Sequence, residues 1–223
     1  MSQINQTNEI NLTPQERWSI TAESRINFVR AMGVLTFYLI HLLNVSAAHL
    51  GGGFLNFFGS DAVNKFSPSV NFVISMLCLG WIIQAILIQV LLREKKRLGR
   101  IGIRLSTLGD LFWLTTLLAC SVGPAGVMVI GYLLIIMMAG LRFDLRLIQL
   151  TTISAMIAYV ILLGMVRWPF GLVKELALET VPRYQQLMFG LALLFCGVLT
   201  GQLVRLGWRL VAMDRDHHSG LSK

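Results

Sequence analysis

The chain has 223 residues, of which 55% are hydrophobic and only 13% are charged. This composition excludes an ordinary soluble globular domain. The net charge is +8, but most Lys and Arg residues lie beside the ends of apolar segments, where positive charge fixes membrane topology. We find no interleaved basic and aromatic patch, and we therefore expect no nucleic-acid partner.

Six apolar stretches occupy most of the chain. A helix needs about 20 apolar residues to cross the hydrocarbon core of a bilayer, and only helices or closed barrels satisfy their backbone groups there. The stretches are continuous rather than alternating, which favours helices. The sequence therefore predicts an all-α integral membrane bundle of six transmembrane helices, with spans at about 28–50, 67–92, 105–122, 127–141, 147–165 and 186–206.

The remaining segments are short and polar. We expect residues 1–24 to form a polar N-terminal tail, residues 25–213 the membrane domain, and residues 214–223 a polar C-terminal tail. The fourth predicted span has only 15 residues, so it must tilt little or thin the bilayer locally.

The distribution of positive charge predicts the orientation. With both termini on one side, six alternating spans place 15 of the 19 Lys and Arg residues on that side. Positive residues accumulate in cytoplasmic loops. We therefore expect both termini in the cytoplasm and a multi-pass protein of the cell inner membrane, with the lipid bilayer as its first partner.

Two charged residues near the predicted membrane boundary have competing interpretations. Asp110 lies about 9 Å along its helix from Arg104, at a rise of about 1.5 Å per residue. A charge at this depth is costly unless it is paired. One interpretation is a structural ion pair between Asp110 and Arg142, or between Asp110 and Arg104. The other is a ligand or proton site at Asp110.

Polar residues on the first span share one broad helical face, which we expect to point into the bundle. The face comprises Asn27, Arg30, Tyr38, His41 and Asn44. We select Tyr38, His41 and Asn44 as candidate ligand-binding residues. The alternative is that His41 only hydrogen-bonds a neighbouring helix.

The sixth span contains a close-packing motif. Gly197 and Gly201 form a GxxxG step, which permits close approach of another helix. Leucines at coiled-coil spacing follow it, beginning at Leu203. These features indicate helix packing, either as a homodimer through the sixth helix or within the bundle itself.

Sequence signatures of catalysis are absent. The chain has no HExxH, no GxSxG, no phosphate-binding loop and no paired acidic motif. Its three cysteines are far apart and have no metal-binding spacing. We interpret His217 and His218 as tail residues rather than metal ligands. We therefore expect no enzymatic activity, no cofactor and no metal site.

Residues 97–163 carry a recognisable series of features. These are a basic loop ending in Arg97 and Arg100, Asp110 early in a helix, a short Gly/Pro turn, Gly140 to Phe143 closing the next helix, and Tyr159 in the following one. The series resembles the membrane sensory region of bacterial histidine kinases that detect diffusible fatty-acid signals. Similar regions precede bacterial adenylyl cyclases.

The resemblance implies a receptor function, although those receptors continue into a kinase or cyclase domain. Only 17 residues follow Leu206, so we expect no such output domain here. We expect a sensor or receptor-like protein for a small amphipathic or lipid-like signal, acting through a kinase or cyclase partner. A small transporter or channel subunit is the alternative.

Overall fold

The computed structural model describes residues 14–49, 68–93, 100–121, 123–168 and 181–220. Within these ranges the chain forms helices and no strand, which confirms the predicted all-α class. The α-helices are α1 (Pro14–His49), α2 (Pro68–Arg93), α3 (Arg100–Cys120), α4 (Gly131–Gly140), α5 (Leu145–Arg167) and α6 (Arg183–Gly220). Two 3-10 turns, Gly123–Ala125 and Val127–Ile130, precede α4.

Four of these helices, α2, α3, α5 and α6, are long and apolar enough to cross a membrane. The segments that qualify are Ser69–Leu91, Ile101–Cys120, Leu145–Arg167 and Arg183–Leu210. They indicate a multi-pass membrane protein. The apolar segment at α4 is shorter, and the number of six spans stays a prediction.

The first and last helices extend into the predicted tails. α1 begins at Pro14, and α6 continues to Gly220. At about 1.5 Å per residue, the 38 residues of α6 reach roughly 57 Å. That length exceeds the ~30 Å hydrocarbon core, so α6 is long enough to project beyond a bilayer.

One face of the short helix α4 is buried in the core of the bundle. It packs against α3, α5 and α6. Tyr132 and Ile136 are both fully buried, and the Tyr132 hydroxyl lies 2.9 Å from the hydroxyl of Thr115 on α3. The predicted span 127–141 is only partly α-helical, because Val127–Ile130 winds as a 3-10 helix. A 3-10 turn rises about 2.0 Å per residue, so the segment reaches roughly 23 Å in total.

A tight turn joins α4 to α5. Phe143 has a φ of 53° and donates its backbone N–H to the Gly140 carbonyl at 3.0 Å, which ends α4. Asp144 then caps α5, its side chain accepting the backbone N–H of Arg146 at 3.0 Å. Arg142 lies within this turn, directly after the end of α4.

Helices that are consecutive in the chain run antiparallel, whereas the α3/α5 and α4/α6 pairs run parallel. α1 packs along α2, α2 along α3, and α3 against α4 and α5, while α6 packs against α4 and α5. We call the end at which α2 ends (Arg93) and α3 begins (Arg100) the basic end. The turn between α4 and α5 lies at this same end.

The two glycines of the GxxxG step have different surroundings. A Cβ added at Gly197 would fall on the side chain of Thr152 in α5, so Gly197 permits the close approach of α5 and α6. A Cβ added at Gly201 would meet nothing within 4 Å. The structure thus places Gly197 in packing within the bundle. Homodimerisation through α6 stays a prediction.

This difference predicts opposite effects of alanine at the two positions. Gly197→Ala should lower the free energy of unfolding by about 1–3 kcal/mol, because it overpacks the contact with Thr152. Gly201→Ala should have no cost or should stabilise α6 by up to about 1 kcal/mol. Thermal unfolding in detergent measures both variants. Equal destabilisation by the two variants would contradict the assigned packing.

Candidate functional site

Buried polar side chains connect α1, α2 and α3 near the basic end, and Arg142 joins them from the end of α4. We call this set the polar ladder. Its members are Glu23, Asn27, Arg30, Trp81, Gln84, Ser106, Thr107, Asp110 and Arg142.

The centre of the polar ladder is an ion pair between Arg30 of α1 and Asp110 of α3. Their N···O distance is 2.8 Å, and the two side chains are 3% and 5% exposed. Such a buried pair is stable only when further hydrogen bonds satisfy the remaining polar atoms. Arg30 also donates to Asn27 at 3.0 Å and to the hydroxyl of Ser106 at 2.9 Å.

A residue of α2 donates a further hydrogen bond to Asp110, the acidic member of this pair. The indole N–H of Trp81 donates to Asp110 at 3.0 Å. Gln84 lies one turn further along α2, where its amide oxygen accepts the indole N–H of Trp113 at 2.6 Å. Asn27 in turn donates to the backbone carbonyl of Ala85 at 2.8 Å. Asp110 is therefore held from two helices at once.

A second ion pair lies nearer the basic end. Arg142 donates through two nitrogens to the two carboxylate oxygens of Glu23, each at 2.9 Å. This forked geometry is characteristic of strong Arg–carboxylate pairs. Arg142 also donates to the hydroxyl of Thr107 at 2.6 Å. The pair fastens the first part of α1 to the end of α4.

The predicted direct pair between Asp110 and Arg142 is wrong. Asp110 pairs with Arg30, and Arg142 pairs with Glu23. The reason is axial position: Arg142 is level with Thr107, about one turn closer to the basic end than Asp110. The shared polar face of α1 brings Arg30 to Asp110 instead. Asn27 and Arg30 are both 4% exposed, so this part of the face points into the bundle as predicted.

The predicted ligand-binding residues lie further along α1. Tyr38 is half-buried and packs with Ile74, Cys78 and other apolar residues rather than with the polar ladder. His41 and Asn44 lie in α1, but their side chains fall outside the described part of the structure. Their role in binding stays a prediction.

Sequence reasoning did not find Glu23, Trp81 or Thr107 as members of this site. A signal was present, because polar residues recur at helical spacing on each helix near the basic end. On α1 the series is Glu23, Asn27 and Arg30, and on α3 it includes Ser106 and Asp110. Three such faces at one end of a bundle predict a shared polar core.

An open groove lies beside the polar ladder, between α1 and α4. Its volume is about 310 Å³. Gly33 and Phe37 of α1 form one wall, and Leu134 and Met138 of α4 form the other. Leu134 is 46% exposed, so the groove opens on the outer surface of the bundle. In a membrane protein this surface faces lipid.

The floor of the groove is charged. Arg30, Asp110 and Trp81 all line it, although every other lining residue is apolar or glycine. The Nε of Arg30 is buried and has no hydrogen-bond partner among the described residues. A buried N–H without a partner costs about 1–3 kcal/mol of stability, and the cost is higher when the N–H belongs to a charged group. The groove therefore has apolar walls, and an unsatisfied donor lies buried beneath its base.

Among the residues that the structure describes, no group of His, Cys, Asp and Glu side chains could hold a metal ion. No known protein family, curated protein or solved structure matches the chain. The polar ladder and the groove are therefore the features of this chain that bear on its function.

The observed pairing makes a quantitative prediction. Arg30→Gln and Asp110→Asn should each lower the free energy of unfolding by about 3–5 kcal/mol, because each strands a buried charge. The double variant should recover at least ~1 kcal/mol relative to the sum of the single effects. Denaturant titration in mixed micelles measures this coupling.

The matched control is the pair Asp110→Asn with Arg142→Gln. These side chains make no direct contact but share the polar ladder, so their coupling should be smaller than the coupling between Arg30 and Asp110. Stronger coupling of Asp110 to Arg142 than to Arg30 would contradict the structure.

Proposed function

We propose that this chain is a multi-pass, receptor-like protein of the cell inner membrane. Its ligand is a small amphipathic or lipid-like molecule that binds in the groove between α1 and α4. The signal then passes to a separate partner, such as a kinase or cyclase. The observation that carries the proposal is an apolar groove, open to lipid, with a charged floor.

The size of the groove restricts the ligand. Ligand pockets measure roughly 300–1,000 Å³, and this groove, at about 310 Å³, is at the small end of that range. It suits a single-chain amphiphile better than a two-chain phospholipid. The lateral opening lets such a molecule enter from the bilayer, where its apolar chain is already dissolved.

The contacts of α4 with α1 and α6 could carry a structural change from the groove to α6. A ligand between α1 and α4 would lie against Arg30 in the floor. It would also separate the two helices that the Glu23–Arg142 pair joins at the basic end. α4 also touches α6 closely, since a Cβ added at Gly140 would fall on Thr200. α6 is long enough to extend past the bilayer, where a partner or a second copy of the chain can contact it.

The orientation that this function needs has the basic end and both termini in the cytoplasm, with six spans. Arg93, Arg100 and Arg142 all lie at that end, consistent with the preference of positive residues for the cytoplasmic side. The 3-10 turn before α4 lengthens that short segment toward a full crossing.

Cysteine labelling tests the orientation in the intact chain. On a background with Cys78, Cys120 and Cys196 replaced by Ala, we expect a membrane-impermeant maleimide applied outside cells to label Ala125→Cys but not Arg146→Cys. Both positions are exposed, at opposite ends of the bundle. The reverse pattern, or labelling of both positions, would contradict the proposed orientation.

A groove-filling substitution tests the binding site. Gly33 lines the groove, and a Cβ there would meet nothing within 4 Å, so Gly33→Leu should place its side chain in the groove. Gly164 of α5 is equally open and lies away from the groove, which makes Gly164→Leu the matched control. Both changes replace a helical glycine, so both should preserve or raise stability.

The readout is photolabelling in lipid nanodiscs by decyl methyl ketone carrying a diazirine on its chain, followed by peptide mapping. The native protein and Gly164→Leu should be labelled on α1 and α4, and Gly33→Leu should lose about tenfold or more of that labelling. Labelling that is unchanged in Gly33→Leu would refute binding in this groove. Vectorial uptake of the ketone in proteoliposomes would favour the transporter alternative.

A further inference from the structure

We infer that the groove selects ligands whose polar head is an uncharged hydrogen-bond acceptor, such as a hydroxyl, ketone or ester, over ligands with a permanently charged head. This inference rests on the proposed function and specifies the chemistry of its ligand. Two independent observations support it: the free donor in the floor and the charge balance of the polar ladder.

The free donor is the Nε–H of Arg30. The terminal nitrogens of this side chain are already used by Asn27, Ser106 and Asp110. Nε alone has no partner among the described residues, although Arg30 is 96% buried and lines the groove. The donor needs one acceptor. Nε has almost no exposed surface in the unliganded structure, so an oxygen on a ligand head can supply the acceptor once ligand entry parts the side chains that cover Arg30.

The charges of the polar ladder already balance. The charged groups that act on Arg30 are Asp110, Arg142 and Glu23. With Arg30 they make two positive and two negative charges, joined as two direct ion pairs. An anionic ligand beside Arg30 would leave a net negative charge in a region of low dielectric, where an uncompensated charge is strongly unfavourable.

A cationic head is disfavoured for a related reason. Both carboxylate oxygens of Asp110 already accept hydrogen bonds, one from Arg30 and one from Trp81. A cation would therefore face the positive charge of Arg30 and would compete with Arg30 and Trp81 for the carboxylate oxygens of Asp110. A neutral acceptor satisfies Arg30 and leaves both ion pairs intact. The remaining lining is apolar or glycine and suits the chain of the ligand.

Two nearly isosteric probes separate charge from shape. Decyl methyl sulfone and decyl sulfonate present sulfonyl oxygens on the same chain, but only the sulfonate is charged. Each probe carries a diazirine on the chain, and a diazirine-bearing undecane serves as the control without an acceptor. Labelling of the full-length protein in nanodiscs is compared after normalising to the amount of each probe in the bilayer.

We expect the sulfone to label the groove at least about tenfold more than the sulfonate or the alkane, which corresponds to roughly 1.4 kcal/mol. Labelling by the sulfonate that equals or exceeds labelling by the sulfone would overturn the charge selection and leave the groove as a binding site. Equal labelling by the alkane would overturn the role of the Arg30 donor. Absence of groove labelling by all three probes would overturn the proposed function as well.

A variant with altered charge provides a second test of the selection against charged ligands. Asp110→Asn removes one negative charge and leaves the polar ladder with a net positive charge. In this variant the preference should reverse, so that the sulfonate labels better than the sulfone. A folded Asp110→Asn protein that still prefers the sulfone would overturn the charge-balance argument. If this variant does not fold, the three-probe comparison on the native chain decides the question alone.

Discussion

The ion pair between Arg30 and Asp110 constrains the residues around it, because both charges are buried between α1 and α3. Two charges nearly excluded from solvent lie 2.8 Å apart between α1 and α3. Such a pair has little net benefit over an apolar contact, but leaving either charge alone is very costly. The neighbouring positions must therefore be polar, and this explains why Asn27, Trp81 and Ser106 surround the pair. The register of α1 against the bundle is set by this requirement.

The same interaction explains how a groove can exist beside a well-packed core. α1 packs along α2, and its connection to α4 includes the Glu23–Arg142 pair at the basic end. Beyond that pair, Gly33 leaves space where a larger residue would pack against α4. The Glu23–Arg142 pair joins α1 and α4 at the basic end, and the absence of a side chain at Gly33 leaves a space between the two helices beyond it. A ligand that fills this space would act on the helix whose position the ion pairs determine.

The sequence predicted the helical class and the approximate positions of the six α-helices in the described ranges, because continuous apolar runs are a strong local signal. It also predicted that the face containing Asn27 and Arg30 points inward. It did not predict that α1 and α6 extend into the tails. It did not predict the partner of Asp110, because Arg104 and Arg142 looked closer along the chain, whereas the true partner depends on which helices are neighbours. The 3-10 turn before α4 and the groove also depend on tertiary packing. The periodicity of hydrophobic residues in a single sequence indicates neither the 3-10 turn nor the groove.

Arg30 and Asp110 should be in direct contact inside the folded protein in lipid, as they are in the structure. Solid-state NMR can measure this contact as dipolar dephasing between ¹⁵N-labelled arginine side chains and ¹³C-labelled aspartate carboxyl carbons. We predict strong dephasing that corresponds to a direct ion pair, and we predict its loss in both Asp110→Asn and Arg30→Gln but its retention in Arg142→Gln. Dephasing that survives Asp110→Asn, or that disappears in Arg142→Gln alone, would contradict the account.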